Sequence, residues 1–209
     1  RRLQTDRIDL YQLHGPPVHL LEEDDSIIAT LHDLKDAGKI REIGISVASP
    51  QDGFAAVTRF GFRVIQVNFN LVDQRAQEIG LFDLCLKTGA GIIGRTPLCF
   101  GVLSGAFSSE AKFQPNDHRS GRSPEQINKW TDANSLFAPV LTQETEQTQA
   151  QLALRFCLSY EALSTVIPGM LSSCEVEENA LSSHLGALPK GTLGRLENIY
   201  RANSFFVGG

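Results

Sequence analysis

Short apolar runs alternate with amphipathic stretches along most of the 209 residues. The first run, RIDLYQLHGP (residues 7–16), is closed by glycine and proline, a combination that predicts a buried strand ending in a turn. Four further apolar runs predict strands in the same way: IREIGIS (40–46), RVIQVNFN (63–70), AGIIGRTPL (90–98) and STVIPG (164–169). The pattern therefore predicts five strands.

Helical periodicity fills the segments between these runs. Ser26 and Ser49 are expected N-caps, and Pro50 suits the first position of a helix. The apolar spacing predicts helices over 26–39, 49–61 and 73–89 in the first half of the chain, and then from residue 124, over 142–159, over 172–185 and over 189–202. Residues 105–123 are polar and contain proline and glycine, so a long loop is expected there.

Alternating strands and helices are typical of βα units that build a parallel sheet. Five such units form either an open sheet or part of a closed barrel, and the repeat alone is compatible with both. Ligands bind at the carboxyl ends of parallel strands. Side chains capable of hydrogen bonding, together with one glycine, follow the predicted strands at that edge: His14, Ser46, Gln66, Asn68, Asn70, Arg95, Thr96 and Gly169. This arrangement favours a polar binding site.

Composition narrows the class of protein. Nineteen Lys and Arg against 24 Asp and Glu give a net charge of −5, which argues against nucleic acid or an anionic membrane surface as a partner. No apolar stretch approaches the roughly 18 residues of a membrane span. The N-terminal RRLQTDRIDL has no signal-peptide pattern. The expectation is one soluble cytoplasmic domain, residues 1–209.

The four cysteines, Cys85, Cys99, Cys157 and Cys174, lie far apart and form no CxxC pair. Buried free thiols are favoured over disulfides or a zinc site, and no metal is expected. Two segments resemble anion sites, because small residues precede a helix N-terminus or a turn: TPLCFGVLSG (96–105) and IPGMLSS (167–173). Taken alone, each is as well explained by a loop glycine and a serine cap.

Five blocks of sequence resemble the aldo-keto reductases in the order and spacing of that family: LQTDRIDLYQLHGP, AGKIREIGIS, IQVNFNLVDQR, GIIGRTPLCFGVLSG and VIPGMLSSCEVEENA. The resemblance implies a partial (β/α)8 TIM barrel, made of strands four to eight of the family and a C-terminal helix. It also implies an oxidoreductase that uses NAD(P)H to reduce small aldehydes or ketones.

The resemblance assigns roles to individual residues. His14 matches the histidine that orients the substrate carbonyl beside a catalytic tyrosine, and a polarised carbonyl is what hydride transfer requires. Ser46 and Gln66 match positions that hold the nicotinamide carboxamide. Arg95 replaces the common aromatic residue that stacks on the nicotinamide ring, and a guanidinium plane can also stack.

The remaining cofactor positions are implied in the same way. Backbone amides around Pro97, Leu98 and Leu103 fall on the path of the pyrophosphate, and Thr96 is a further cofactor-binding position. Arg119, in the long loop, is expected to close over the phosphates. Five residues fall at the adenosine end: Gly169, Leu171, Glu175, Glu178 and Asn179.

The sequence departs from the family at several of its cofactor positions. Val47 stands where the family has an asparagine after the serine, and Ala106 replaces a common lysine. Glu175 occupies a position that often carries Arg or Gln near the adenosine 2′ position. Because a carboxylate repels a 2′-phosphate, an NAD(H) preference is expected.

A larger departure concerns the proton donor. The family's first three βα units, which supply its catalytic Asp, Tyr and Lys, have no counterpart in these 209 residues. The first interpretation is therefore a reductase fragment that is inactive alone. Two alternatives are a nucleotide-binding scaffold without catalysis, and a reductase-derived lyase, isomerase or cyclase that uses His14 without hydride transfer. Open barrel edges would favour self-association or a protein partner.

Overall fold

The computed structural model describes residues 3–107, 113–141 and 147–208. The residues group into two compact units, each with most of its contacts within itself. Unit 1 consists of Arg1–Asn68, Arg75–Ile93 and Ala162–Ser164, and unit 2 consists of Phe69–Gln74, Gly94–Glu161 and Thr165–Gly209.

Five strands form one sheet in sequence order: β1 (Ile8–His14), β2 (Ile40–Ser46), β3 (Val64–Asn68), β4 (Gly91–Arg95) and β5 (Leu163–Ile167). All five predicted strands are confirmed, and β1 pairs in parallel with β2, as β2 does with β3. The observed strands end before residues 69–70, 96–98 and 168–169, where the expected strands continued. The polar residues at those positions therefore belong to the loops that follow the strands.

In the part of unit 1 that the structure describes there are five helices: α1 (Leu20–Glu23), α2 (Ser26–Asp36), α3 (Pro50–Phe60), α4 (Arg75–Glu78) and α5 (Leu81–Thr88). The short α1 was not predicted. The single helix expected over 73–89 is interrupted because Gly80 adopts a left-handed conformation with φ of +79°. Ser49 caps α3 as predicted, accepting a hydrogen bond from the Asp52 amide.

The described residues of unit 2 form four α-helices: α6 (Pro124–Leu141), α7 (Gln149–Leu158), α8 (Ser173–Leu181) and α9 (Lys190–Ala202). The helix expected over 142–159 is observed from Gln149, where Thr148 and Gln151 form a capping box. The first part of that prediction, residues 142–146, lies outside the described residues. In the expected loop over 105–123, residues 108–112 also lie outside them, and a 3₁₀ turn covers His118–Gly121.

Each unit has an apolar core of its own. In unit 1 the buried side chains of β2, β3 and β4 include Ile45, Ile65 and Ile92, all with 0% exposure. In unit 2 Phe156 stacks on Phe69 with ring centroids 5.5 Å apart, and Tyr160 meets both rings edge-on. Among the described residues, no helix is long and apolar enough to cross a membrane.

All four cysteines are free thiols, as predicted, and three of them are buried. Burial raises the pKa of the Cys85 thiol to about 11. The pKa values of Cys99 and Cys157 are also raised, chiefly by burial. Cys174 differs from the others because it is exposed, in the first turn of α8.

Gly44 is a point of close approach in the sheet. A Cβ placed on it would lie 2.9 Å from Cγ of Gln12 and 3.1 Å from the backbone oxygen of Val64. We expect Gly44→Ala to lower the free energy of unfolding by about 1–2 kcal/mol, because the strand must absorb an overpacked methyl group. Urea denaturation measures this change.

The matched control is Gly91→Ala. A Cβ on Gly91 meets only the side chain of Ser164 within 4 Å, its oxygen at 2.9 Å, and that hydroxyl can rotate away. We expect the control to change stability by less than about 0.5 kcal/mol. Equal losses from both substitutions would contradict this prediction, because the close approach at Gly44 would then cost no more than the contact at Gly91.

Candidate functional site

Three of the predicted site residues are aligned across unit 1, where β1, β2 and β3 reach their carboxyl ends. His14 is the register partner of Ser46, and Ser46 is the register partner of Gln66. Backbone hydrogen bonds of 2.9 Å extend this alignment beyond the strands, since Gly15 N donates to Ser46 O and Val47 N donates to Gln66 O. The structure therefore brings together the histidine, serine and glutamine that sequence analysis selected from three separate strands.

A fourth polar residue, which sequence analysis did not select, joins this group. Gln12 Nε2 donates to Gln66 Oε1 at 3.4 Å, and Gln66 Nε2 donates to Ser46 Oγ at 3.2 Å. Gln12 is the register partner of Gly44, so its side chain crosses β2 where that strand has no side chain of its own. The alternation of side chains along β1 places Gln12 on the same face as His14, and this was the available signal.

Burial varies along this group. Ser46 is buried, with 4% of its surface exposed, Gln12 and Gln66 are half-buried, and His14 is exposed. Gln12 Oε1 is itself buried and accepts no hydrogen bond from any residue that the structure describes. Unit 1 therefore offers a row of amide and hydroxyl groups beside an exposed imidazole.

In unit 2, the loop after β3 supports the loop after β4. Asn70 and Asp73 form an isolated bridge, and Asn70 Nδ2 donates to the carbonyl oxygen of Thr96 at 2.9 Å. Asn70 is 3% exposed and its side-chain oxygen also accepts from the Val72 amide at 2.9 Å. Asn70 therefore holds Thr96, which has a positive φ of +57°.

The loop continues as a compact turn with several left-handed residues. Cys99, Phe100 and Gly101 have φ values of +46°, +58° and +89°. The Leu103 amide donates to the carbonyl oxygen of Leu98 at 3.0 Å, so this predicted pyrophosphate contact already has a partner within the turn. Pro97, another of these predicted positions, has no amide proton to offer.

Arg95 ends β4 and is half-buried. Burial lowers the pKa of its guanidinium, and the nearby charge of Asp73 acts in the opposite direction. Since an arginine in a protein stays protonated, the guanidinium remains a cation at this strand end. Its planar guanidinium can still stack on a nicotinamide ring, which is the role that the family resemblance implies for this position.

Arg119 is held by neighbours from its own part of the chain. Its guanidinium carbon lies 4.7 Å from the ring centre of Phe107 and 4.4 Å from that of Phe113. Asp117 accepts from Nε at 2.9 Å and from Nη2 at 2.5 Å, and Phe100 O accepts from Nη1 at 3.4 Å. Any contact with phosphates must compete with this ion pair and the two rings.

The start of α8 contains the predicted adenosine residues. Ser172 and Glu175 form a capping box, in which Ser172 Oγ accepts from the Glu175 amide. The Glu175 carboxylate in turn accepts from the amides of Leu171 and Ser172, at 2.5 and 3.2 Å. Leu171 is 94% exposed, and a Cβ on Gly169 would meet no atom within 4 Å.

A hydrogen bond from a side chain of α7 holds the next turn of α8 in place. Gln151 Nε2 donates to the backbone oxygen of Glu178 at 3.0 Å, while the same side chain accepts from the Thr148 amide in its capping box. Asn179 is buried, with 9% exposure, and Glu178 is half-buried. Within the described ranges, no group of three or more His, Cys, Asp or Glu residues could hold a metal ion.

Comparison with known proteins gives a consistent result. The model of the aldo/keto reductase family matches residues 1–201. The chain is 27% identical over 191 residues to L-glyceraldehyde 3-phosphate reductase of Escherichia coli O157:H7, covering 86% of this chain and 54% of that protein. It is 28% identical over 209 residues to an uncharacterized oxidoreductase of Bacillus subtilis, covering 97% of this chain and 65% of the relative.

Solved structures agree with these relatives. An aldo-keto reductase from Bacillus halodurans, in its holo form, superposes with a TM-score of 0.73 at 26% identity, covering 97% of this chain and 64% of that one. The chain therefore spans less than two thirds of the length of each of these proteins.

Proposed function

Because the chain belongs to the aldo/keto reductase family, we propose that it contributes to the reduction of small aldehydes or ketones to alcohols with NAD(P)H. The observation that carries this proposal is the alignment of His14, Ser46 and Gln66 at the ends of three adjacent parallel strands. Ligands of parallel α/β folds bind at this edge. The comparisons do not favour a scaffold without catalysis or a lyase, isomerase or cyclase.

The hydrogen-bonding groups of unit 1 suit a nicotinamide carboxamide. Ser46 Oγ accepts from Gln66, which leaves its hydroxyl proton available to a carbonyl oxygen. Gln66 offers a second amide proton and a remaining lone pair. When bound, the cofactor supplies the hydride, and these residues fix the plane of its reacting ring.

His14 is proposed as the residue that orients the substrate carbonyl. Its side chain is exposed at the end of β1, and a donor there can hydrogen-bond to the oxygen on which negative charge develops. His14 is the register partner of Ser46 on the neighbouring strand, and Ser46 is one of the proposed carboxamide contacts. His14 would thus act beside the nicotinamide end of the cofactor.

In unit 2, the family resemblance assigns further cofactor contacts. Arg95 would stack on the nicotinamide ring, and backbone amides around Pro97, Leu98 and Leu103 would follow the pyrophosphate. Thr96 would be a further cofactor contact. Gly169, Leu171, Glu175, Glu178 and Asn179 would contact the adenosine end. Support comes from the positions of these residues after β4 and β5 and from the cap at the start of α8. Closure of Arg119 over the phosphates would require release from Asp117.

Two finer proposals concern the fold and the cofactor. We infer that β1–β5 correspond to strands four to eight of an eight-stranded barrel, because they lie in sequence order in a sheet and the chain spans 64% of a barrel relative. We also infer a preference for NAD(H), because Glu175 places a carboxylate at the adenosine end with no cation on Leu171 or Gly169.

Calorimetric titration of the chain with NADH and NADPH tests the proposed function. We expect saturable binding, and we expect Ser46→Ala to weaken it about five- to tenfold through the loss of one hydrogen bond. Ser104→Ala is the matched control, because that hydroxyl donates to the backbone of Gly101 in the loop instead. Absence of binding by the unmodified chain to either nucleotide would contradict the proposal.

A further inference from the structure

The side chains of Gln12, Gln66 and Ser46 form a polar row in unit 1, and the hydrogen bonds along this row run in one direction. Gln12 donates to Gln66, and Gln66 donates to Ser46, at 3.4 and 3.2 Å. Ser46 is an acceptor in this row, so its hydroxyl proton points to some other group. No acceptor for that proton is found among the residues that the structure describes, which leaves it for a ligand.

The reverse direction is disfavoured at the far end of the row. If both amides were turned, the NH2 group of Gln12 would occupy the position where its Oε1 now lies buried without a partner. Two buried N–H protons of Gln12 would then lack acceptors, whereas the observed direction leaves the Gln12 Oε1 acceptor and the rotatable Ser46 hydroxyl proton without protein partners. Unpaired buried N–H groups are rarer than under-satisfied carbonyl oxygens. Gln12 therefore favours one orientation of the Gln66 amide.

We propose that Gln12 is a positioning residue, which orients the side-chain amide of Gln66 and thereby makes Ser46 a donor to the carboxamide oxygen of the nicotinamide. This inference rests on the proposed function. Gly44 makes the arrangement possible, because a side chain on that residue would collide with Gln12 where it crosses β2. Gln12 acts through Gln66 and Ser46 and is assigned no contact with the cofactor.

Stability alone does not account for a glutamine at this position. Its Oε1 is buried without a hydrogen bond, which costs free energy, and a leucine of similar size would remove that cost. We therefore expect Gln12→Leu to leave the melting temperature unchanged or to raise it. If Gln12 were retained for packing or for hydrogen bonding in the fold, its substitution would lower the melting temperature.

The experiment compares three ligands on the full chain: NADH, its thionicotinamide analogue and ADP-ribose. Gln12→Leu is expected to weaken NADH binding about fivefold and to leave ADP-ribose, which has no nicotinamide, within about twofold. The loss should shrink for the thionicotinamide analogue, because its sulfur is a poor hydrogen-bond acceptor. Gln12→Glu, which can only accept, should turn the Gln66 amide and weaken NADH to a similar degree.

Tyr11→Phe is the matched control, since Tyr11 lies on the same strand with its exposed side chain on the opposite face. It should change none of the three affinities. If Gln12→Leu weakened the binding of NADH and of ADP-ribose equally, or did not weaken NADH binding, the positioning role of Gln12 would be overturned. The proposed function would be unaffected by either result. Failure of the unmodified chain to bind NADH and NADPH would overturn the proposed function and this role with it.

Discussion

Aldehydes and ketones are expected to remain unreduced when the 209-residue chain is supplied with NADH or NADPH, although the cofactor binds. The family resemblance assigns proton donation to a tyrosine with a lysine partner, and no residue of this sequence matches either. Loss of a general acid lowers the rate about 10²- to 10⁴-fold. This places turnover near the background of a steady-state assay.

The tyrosines of the chain are engaged in other ways. Tyr160 donates to Glu197 at 2.8 Å, and burial together with this bond raises the pKa of its phenol, which makes it a weaker acid. Tyr200 stacks on Phe205 with ring centroids 5.8 Å apart. Tyr11 is 42% exposed and lies on the face of β1 opposite to His14. Tyr11 therefore points away from the proposed substrate position, and Tyr160 and Tyr200 are engaged by neighbours within unit 2.

Steady-state assays over a panel of aldehydes, with both cofactors, measure this outcome, and calorimetry on the same preparation shows that cofactor binds. His14→Ala is the matched variant. Robust turnover that His14→Ala abolishes would show that another group in this chain donates the proton. Turnover that His14→Ala leaves unchanged would indicate a contaminating reductase.

Glu175→Arg is expected to shift the ratio of NADPH to NADH affinity about 10- to 100-fold toward NADPH. The substitution removes a carboxylate, introduces a guanidinium that can pair with a 2′-phosphate, and frees the amides of Leu171 and Ser172, which Glu175 now occupies. The shift stays within this range because the site is exposed, and exposed charges interact weakly in water. Calorimetric titration with both cofactors measures it.

Glu175→Gln separates charge from capping. Glutamine at the third position of the helix keeps the capping box, so the start of α8 is preserved while the negative charge disappears. We expect Glu175→Gln to shift the ratio of NADPH to NADH affinity about threefold toward NADPH. Glu175→Arg, but not Glu175→Gln, is expected to lower the free energy of unfolding by about 0.5–1 kcal/mol, because it removes the cap. Tighter binding of NADPH than NADH by the unmodified chain would show that Glu175 does not face the ribose.

The strands and the alignment of His14, Ser46 and Gln66 were predictable because both depend on local pattern. Apolar runs bounded by turn residues define the strands, and parallel strands bring their carboxyl ends to one edge. Gln12 escaped this reasoning because a polar residue inside an apolar run carries no local signal of its partner. Its contact with Gln66 depends on pairing between strands 54 residues apart in the chain.

Glu175 illustrates a signal that was present in the sequence. The spacing of Ser172 and Glu175 is that of a capping box, which predicts a carboxylate folded back on the helix N-terminus. Arg119 illustrates the opposite case. No periodicity in a polar loop indicates that Phe107 and Phe113 will enclose its guanidinium, because such contacts are set by the folded path of the loop.

The contrast among the four cysteines has a practical consequence for measurement. Thiol-reactive dyes attack the thiolate, so the buried Cys85, Cys99 and Cys157, with raised pKa values, should stay unlabelled in the native protein. A maleimide fluorophore should therefore attach at Cys174 alone, beside Glu175 at the start of α8. The unmutated sequence thus carries its own reporter position, from which nucleotide arrival at the adenosine end can be followed by fluorescence in real time.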